Sequence, residues 1–286
     1  MKLHTNVCSH LQWARLKQLL VIMLLELSIS VTYGQTGMVS GVVKSESDGE
    51  PLTGATVKVK ENNTGCTTDI NGRYSIMEEW ETLRKYHQIC IDAVRTTGGR
   101  NFYRTILIQT PNTNINLAVE LMERLPRDHT PNCLGIEVHY YEPSTFCILN
   151  EDGAWGGAMC QWFWGEEQQK YATGDFAVRW KKDGNELHVR EQFRKMYDKF
   201  VSQGYPVLVG EYGMMRRKLT DETAQEGHEI SCEAFARTVT AEAKAHGCTP
   251  CYWSGVFNRL TGEVTDSFVS NGLEEGAKTE YLSFNK

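Results

Sequence analysis

The feature that most restricts the fold is a repeated order of short apolar runs and helical patterns through the last two-thirds of the chain. The runs are Thr105-Ile-Leu-Ile-Gln109, Leu134-Gly-Ile-Glu-Val-His-Tyr140, Pro206-Val-Leu-Val-Gly-Glu211 and Pro250-Cys-Tyr-Trp253. Helical periodicity precedes or separates them. Leu83, Tyr86, His87, Ile89, Cys90, Ala93 and Val94 recur at three and four up to Gly98-Gly99, a weak helix runs to about Arg124, and further helices are expected near 189–201 and 231–246. Near-continuous apolar strands that alternate with helices are buried on both faces, which indicates a parallel sheet in an α/β fold.

The first part of the chain follows another rule. Residues 38–43, 55–60 and 69–76 form short period-2 runs parted by Gly49, Pro51, Gly54 and Asn71-Gly72, so they are expected to be antiparallel strands with tight turns. Still earlier, Arg15 and Lys17 precede the apolar run Leu19–Leu25, and small residues follow up to Gly34. That is the order of a secretory signal peptide, too short to span a bilayer, so an exported chain without a membrane span in its mature form is expected. The expected organisation is a signal peptide over 1–34, a β-module over 35–77 and an α/β region over 78–286.

Composition narrows the function. With 41% hydrophobic and 23% charged residues the chain can build a core, and a net charge of −6 offers no basic footprint for nucleic acid. Its nine cysteines are irregularly spaced, and Cys248-Thr-Pro-Cys251 has no second pair to complete a metal set, so neither a metal nor a cofactor is expected. In an α/β region the working residues sit at the carboxyl ends of strands, which selects Gln109, Asn112, His139, Tyr141, Glu211 and Trp253.

Taken together, His139-Tyr-Tyr141-Glu-Pro143, Gly210-Glu211-Tyr212-Gly213 and Tyr252-Trp253 resemble the sixth, seventh and eighth strands of glycoside hydrolase family 5. Residues 91–114 resemble the fifth strand and the helix before it in the endoglucanase, or cellulase, branch. The resemblance implies a partial (β/α)8 TIM barrel, strands five to eight, behind a small incomplete β-sandwich module. It implies retaining cleavage of a β-1,4-glucan or hemicellulose, with Glu211 as nucleophile oriented by Tyr141 and with His139 beside the acid/base. Trp253, and Trp155, Trp162 and Trp164 of the long loop after the sixth strand, would line sugar subsites with Asn112.

The β-module resembles the start of a carboxypeptidase regulatory-like domain, through V-x-G-x-V, G-x-P-L-x-G-A-x-V and T-D-x-x-G-x-Y-x-I, and stops at Ile76. That resemblance implies the periplasm, the outer membrane or the exterior of a Gram-negative cell. One departure bears on activity: the family's acid/base, an Asn-Glu pair ending the fourth strand, has no counterpart upstream of Trp80. Asn150-Glu151 and Asn185-Glu186 lie between the sixth and seventh strands and are expected on the solvated surface. Two expectations therefore stand side by side, a hydrolase working through Glu211 and a remnant or chimaera that at most binds glucan. Four parallel strands would also leave two sheet edges open, through which the chain could oligomerise.

Overall fold

The computed structural model describes residues 39–46, 48–58, 65–68, 71–76, 79–153, 157–253 and 255–282. The expected signal peptide, Trp155 and the 77/78 boundary lie outside the described residues. The chain divides into two compact units, Met1–Tyr86 and His87–Lys286. The division falls inside a helix, α1 (Glu79–Thr96). Its cause is visible in the hydrogen bonds of the helix's later turns. His87 Nε2 donates to the carbonyl of Gln109 (3.0 Å), Gln88 Nε2 donates to the carbonyl of Arg127 (2.9 Å), and Arg95 grips Asp128.

In the first unit β1 (Val39–Val42) pairs antiparallel with β4 (Arg73–Ile76), and β2 (Thr56–Lys58) with β3 (Gly65–Thr67). The turn residue Gly72 has φ 65°, and a Cβ there would lie 2.4 Å from the carbonyl oxygen of Val43. Only glycine meets both demands at once. The expected antiparallel strands are present as two ladders, with β3 an addition that the sequence pattern did not single out.

The second unit is built on one sheet, in the order β5 (Ile106–Gln109), β6 (Leu134–Tyr140), β7 (Val207–Tyr212) and β8 (Cys248–Tyr252), all parallel. Its helices are α2 (Ile115–Leu121), the single turn α3 (Ser144–Cys147), α4 (Glu186–Lys199), α5 (Glu222–Ala245) and α6 (Ser267–Ala277). The start of α5, well before residue 231, is fixed by a cap: Asp221 Oδ1 accepts the N–H of Ala224 at 2.8 Å. Asn114 caps α2 in the same way through Leu117 N–H (3.0 Å). The α6 helix was absent from the sequence expectation.

One face of the sheet is covered. Ile108, Ile136, Val138, Tyr140, Val207, Val209 and Tyr212 are buried, and Tyr140 packs between Phe193 of α4 and Phe235 of α5 at ring-centroid distances of 5.5 and 6.3 Å. The opposite face carries the exposed Leu107, Gln109, Thr249 and Cys251 and the half-buried Glu137, His139 and Glu211. Every other residue of a strand points to the same side, so this asymmetry gathers the polar strand-end residues on the open face.

Two expectations about burial need correction. On α1, Tyr86 and Ile89 are 61% and 64% exposed, while Ile91 and Arg95 are buried. The helix exists, but a neighbouring stripe faces inward, because Arg95 is neutralised by Asp128 through Nε to Oδ1 at 2.9 Å and can be buried with it. Glu186 is half-buried rather than solvated, and both its carboxylate oxygens accept the N–H of Glu166 at 3.2 Å. Glu151 is exposed, as expected. Among the described residues no helix is long and apolar enough to cross a membrane.

Candidate active site

Three of the strand-end residues meet on the open face. Tyr141 Oη donates to Glu211 Oε2 at 3.0 Å, and His139 Nδ1 lies 3.3 Å from the same oxygen. Burial, and then the hydrogen bond to Glu211, push the Tyr141 phenol well above its ordinary range, so it remains a donor. Glu211 Oε1 accepts no hydrogen bond among the described residues. The site thus presents a carboxylate held by one oxygen with the other unengaged.

This meeting depends on an irregularity. The pairing of β6 with β7 shifts between Val138 and His139, so that His139 stands opposite Glu211. Simple alternation from Val207 and Val209 would turn Glu211 toward the helices. The bulge places both Gly210 and Glu211 on the open side, and a Cβ on Gly210 would lie 2.3 Å from Glu137 Oε1. Glu137, which no sequence motif singled out, is a further member of the cluster: its Oε1 lies 2.7 Å from His139 Nε2. The E-x-H spacing on one strand was the available signal, since i and i+2 share a face.

Beside the cluster is a cleft of about 400 Å³, lined by Asn112, Thr113, His139, Tyr141, Glu142 and Ile148. Asn112 is brought there by a turn after β5 in which it takes φ 50°. A larger cavity of about 1320 Å³ lies at the other end of the sheet, against Leu134 and Tyr205 at the starts of β6 and β7. Ligands of parallel α/β sheets bind at the carboxyl ends of the strands, so the smaller cleft is the candidate. Glu142 in this cleft is paired with His188 Nε2 at 2.5 Å.

The tryptophans separate into different environments. Trp253 follows β8 and is 61% exposed, with its N–H donating to the carbonyl of Tyr212 at 2.8 Å. Gly213 permits that approach, because a Cβ there would meet Trp253 O at 2.6 Å. Trp162 is half-buried beneath the Arg179 guanidinium, 4.2 Å from its ring centroid, with Phe176 alongside. Trp164 corrects an expectation. It is 1% exposed, stands edge-on to Phe235 at 5.1 Å and donates from Nε1 to the carbonyl of Gly184 (2.6 Å), so it packs the core and offers no face to a sugar.

The long loop that carries these residues is pinned by charged groups. Arg217 donates to the carbonyls of Leu149 (2.6 Å), Gln161 (3.2 Å), Asn150 (3.3 Å) and Thr145 (3.3 Å). Asp152 accepts from both terminal nitrogens of Arg179, at 2.7 and 2.8 Å, which holds its carboxyl well below the usual carboxylate range. Cys248 is buried and its thiol pushed up to about 12, whereas Cys251 is exposed; three residues apart on a strand, they face opposite ways. Among the described residues no three His, Cys, Asp or Glu side chains are grouped to hold a metal ion.

Comparison with known proteins adds the following. The family model for cellulases, glycosyl hydrolase family 5, matches residues 61–258. Endoglucanase A of Paenibacillus barcinonensis is 32% identical over 212 residues, covering 68% of this chain and 49% of that protein. A xyloglucan-specific endo-β-1,4-glucanase of Bacteroides ovatus is 30% identical over 205 residues, with 68% and 37% covered. Among solved structures, a family 5 xyloglucan-specific β-1,4-glucanase from a ruminal metagenomic library superposes with a TM-score of 0.61 at 28% identity, over 73% of this chain and 56% of that one. The chain therefore spans about half, or less, of the length of the curated relatives it matches.

Proposed function

The chain belongs to glycosyl hydrolase family 5, and from that premise we propose that its second unit is the second half of a retaining barrel acting on β-1,4-glucan, with Glu211 as the nucleophile. The observation that carries this reading is the convergence of Tyr141 Oη and His139 Nδ1 on one oxygen of Glu211, which leaves the other for attack. Four parallel strands with one face open are consistent with half of an eight-stranded ring. Xyloglucan belongs within the substrate class, since two of the similar proteins are specific for it. Trp253, exposed at the end of β8, would stack on a pyranose ring, and Asn112 would meet hydroxyl groups in the cleft. Export, expected from residues 1–34, suits a polymeric substrate outside the cell.

Retaining hydrolysis uses two carboxyl groups about 5 to 5.5 Å apart, one to attack and one to protonate the leaving group. Here the neighbouring carboxylates are engaged: Glu137 with His139, and Glu142 with His188. That favours a second reading, glucan binding without turnover of natural polymer. A 2,4-dinitrophenyl 2-deoxy-2-fluoro-β-cellobioside distinguishes the two, because its leaving group departs without protonation and so tests the nucleophile alone. The expected result is a stable adduct on the peptide containing Glu211, and none in Glu211→Gln. An unlabelled wild-type protein would remove the nucleophile assignment, whereas labelling without release of reducing sugar from xyloglucan would establish a half-equipped site.

A further inference from the structure

Behind the proposed nucleophile the polar chain extends one residue further. Glu137 lies two residues before His139 on β6, on the same face, and its Oε1 is 2.7 Å from Nε2 while Nδ1 is 3.3 Å from Glu211 Oε2. An ionised carboxylate only accepts hydrogen bonds, so Nε2 carries a proton and donates it to Glu137. The order carboxylate, imidazole, nucleophile is that of hydrolases in which an acid orients a histidine against the attacking group. Here the attacking group is itself a carboxylate. Room for this arrangement is provided by Gly210 on β7, where any Cβ would stand 2.3 Å from Glu137 Oε1.

We propose that Glu137 is a positioning residue for Glu211, holding His139 by Nε2 so that Nδ1 faces Oε2 of the nucleophile and fixes where that carboxylate lies. The proposal rests on the assignment of Glu211 above. In the labelling step a Glu211 oxygen forms a bond to the anomeric carbon. The bond from that carbon to the aryl oxygen breaks, and its electron pair leaves with dinitrophenolate. No proton moves, so the step requires Glu211 to be ionised. A ring released by Glu137 is free to turn, and Glu211 then loses the neighbour that stands beside Oε2 together with Tyr141.

The test uses the full chain and the same fluoroglycoside, with kinact and KI measured for the wild type, Glu137→Met, Glu137→Gln and Gly210→Ala. Glu137→Met is expected to lower kinact about 10- to 100-fold with KI within about twofold, since Glu137 acts through His139 and does not touch the sugar. Glu137→Gln, which keeps an acceptor without a charge, falls between. Gly210→Ala leaves Glu137 in the chain but displaces its carboxyl, and should reproduce part of the loss. In ¹⁵N–¹H spectra the Nε2–H of wild-type His139 should be hydrogen-bonded to Glu137, a signature that Glu137→Met abolishes. A kinact for Glu137→Met and Gly210→Ala within about twofold of wild type, or an unchanged ring signature, overturns the proposal while leaving Glu211 as nucleophile. Absence of labelling in the wild type instead overturns the nucleophile assignment.

Discussion

Acidification should destabilise the second unit through one buried side chain, His228 of α5. Its ring is fully buried. Nδ1 donates to the carbonyl of Trp162 (2.7 Å) and Nε2 accepts the N–H of Arg217 (3.0 Å), an arrangement that requires the neutral ring. Burial lowers its pKa from 6.5 to about 4, and the Arg216 and Arg217 charges act in the same direction. Because the folded value lies below the unfolded one, the unfolded chain binds more protons between the two. The stabilisation is therefore complete above about pH 6.5 and is lost as the pH falls toward 4. A difference of about 2.5 units at 1.36 kcal/mol per unit gives about 3 kcal/mol in all, of which about 2.5 kcal/mol is gone by about pH 4.5. Urea titrations followed by tryptophan fluorescence at about pH 7.5 and about pH 4.5 measure this, with His228→Gln as reference. Asp128 and Asp152, whose carboxyls are held low by Arg95 and Arg179, contribute stability above their unfolded value that is lost only at still lower pH, and equally in both proteins. An identical pH dependence in wild type and His228→Gln would refute the argument.

Two further outcomes follow from packing. Trp253→Ala should weaken binding of xyloglucan oligosaccharides about tenfold, in calorimetric titration, with little change in Tm, whereas Trp164→Ala should cost about 3 to 5 kcal/mol of stability. Equal effects of the two on Tm would contradict their assigned environments. Gly272→Ala should destabilise by about 2 kcal/mol, lowering Tm by about 5 °C, despite alanine's helix preference of about 1 kcal/mol. The reason is that its Cβ would lie 2.3 Å from the carbonyl oxygen of Glu233 on α5. A neutral or raised Tm would mean that α6 can move off α5 at little cost.

Much of the second unit was legible in advance. Apolar runs at 105–109, 134–140 and 206–211 became β5, β6 and β7, and the strand-end rule selected His139, Tyr141 and Glu211, which meet in space. Helix starts were less legible where a single side chain decides them, as Asp221 does for α5. Burial was least legible of all. Trp164 and Trp253 are the same residue type and were both expected to line sugar subsites, yet one packs against Phe235 and the other faces solvent.

What the sequence determined by itself was the class of sheet, its strand ends and the residue types available there, because alternation and helical periodicity are properties of a local chain. What the tertiary structure decided was which way Glu211 points. Residue-by-residue alternation turns it toward the helices with Val207 and Val209, and the shifted pairing opposite His139 turns it to the open face. A bulge is settled between strands, by the ladder to β6 and by the Glu137 carboxyl filling the space over Gly210. Period-2 patterning within β7 carries no record of either neighbour.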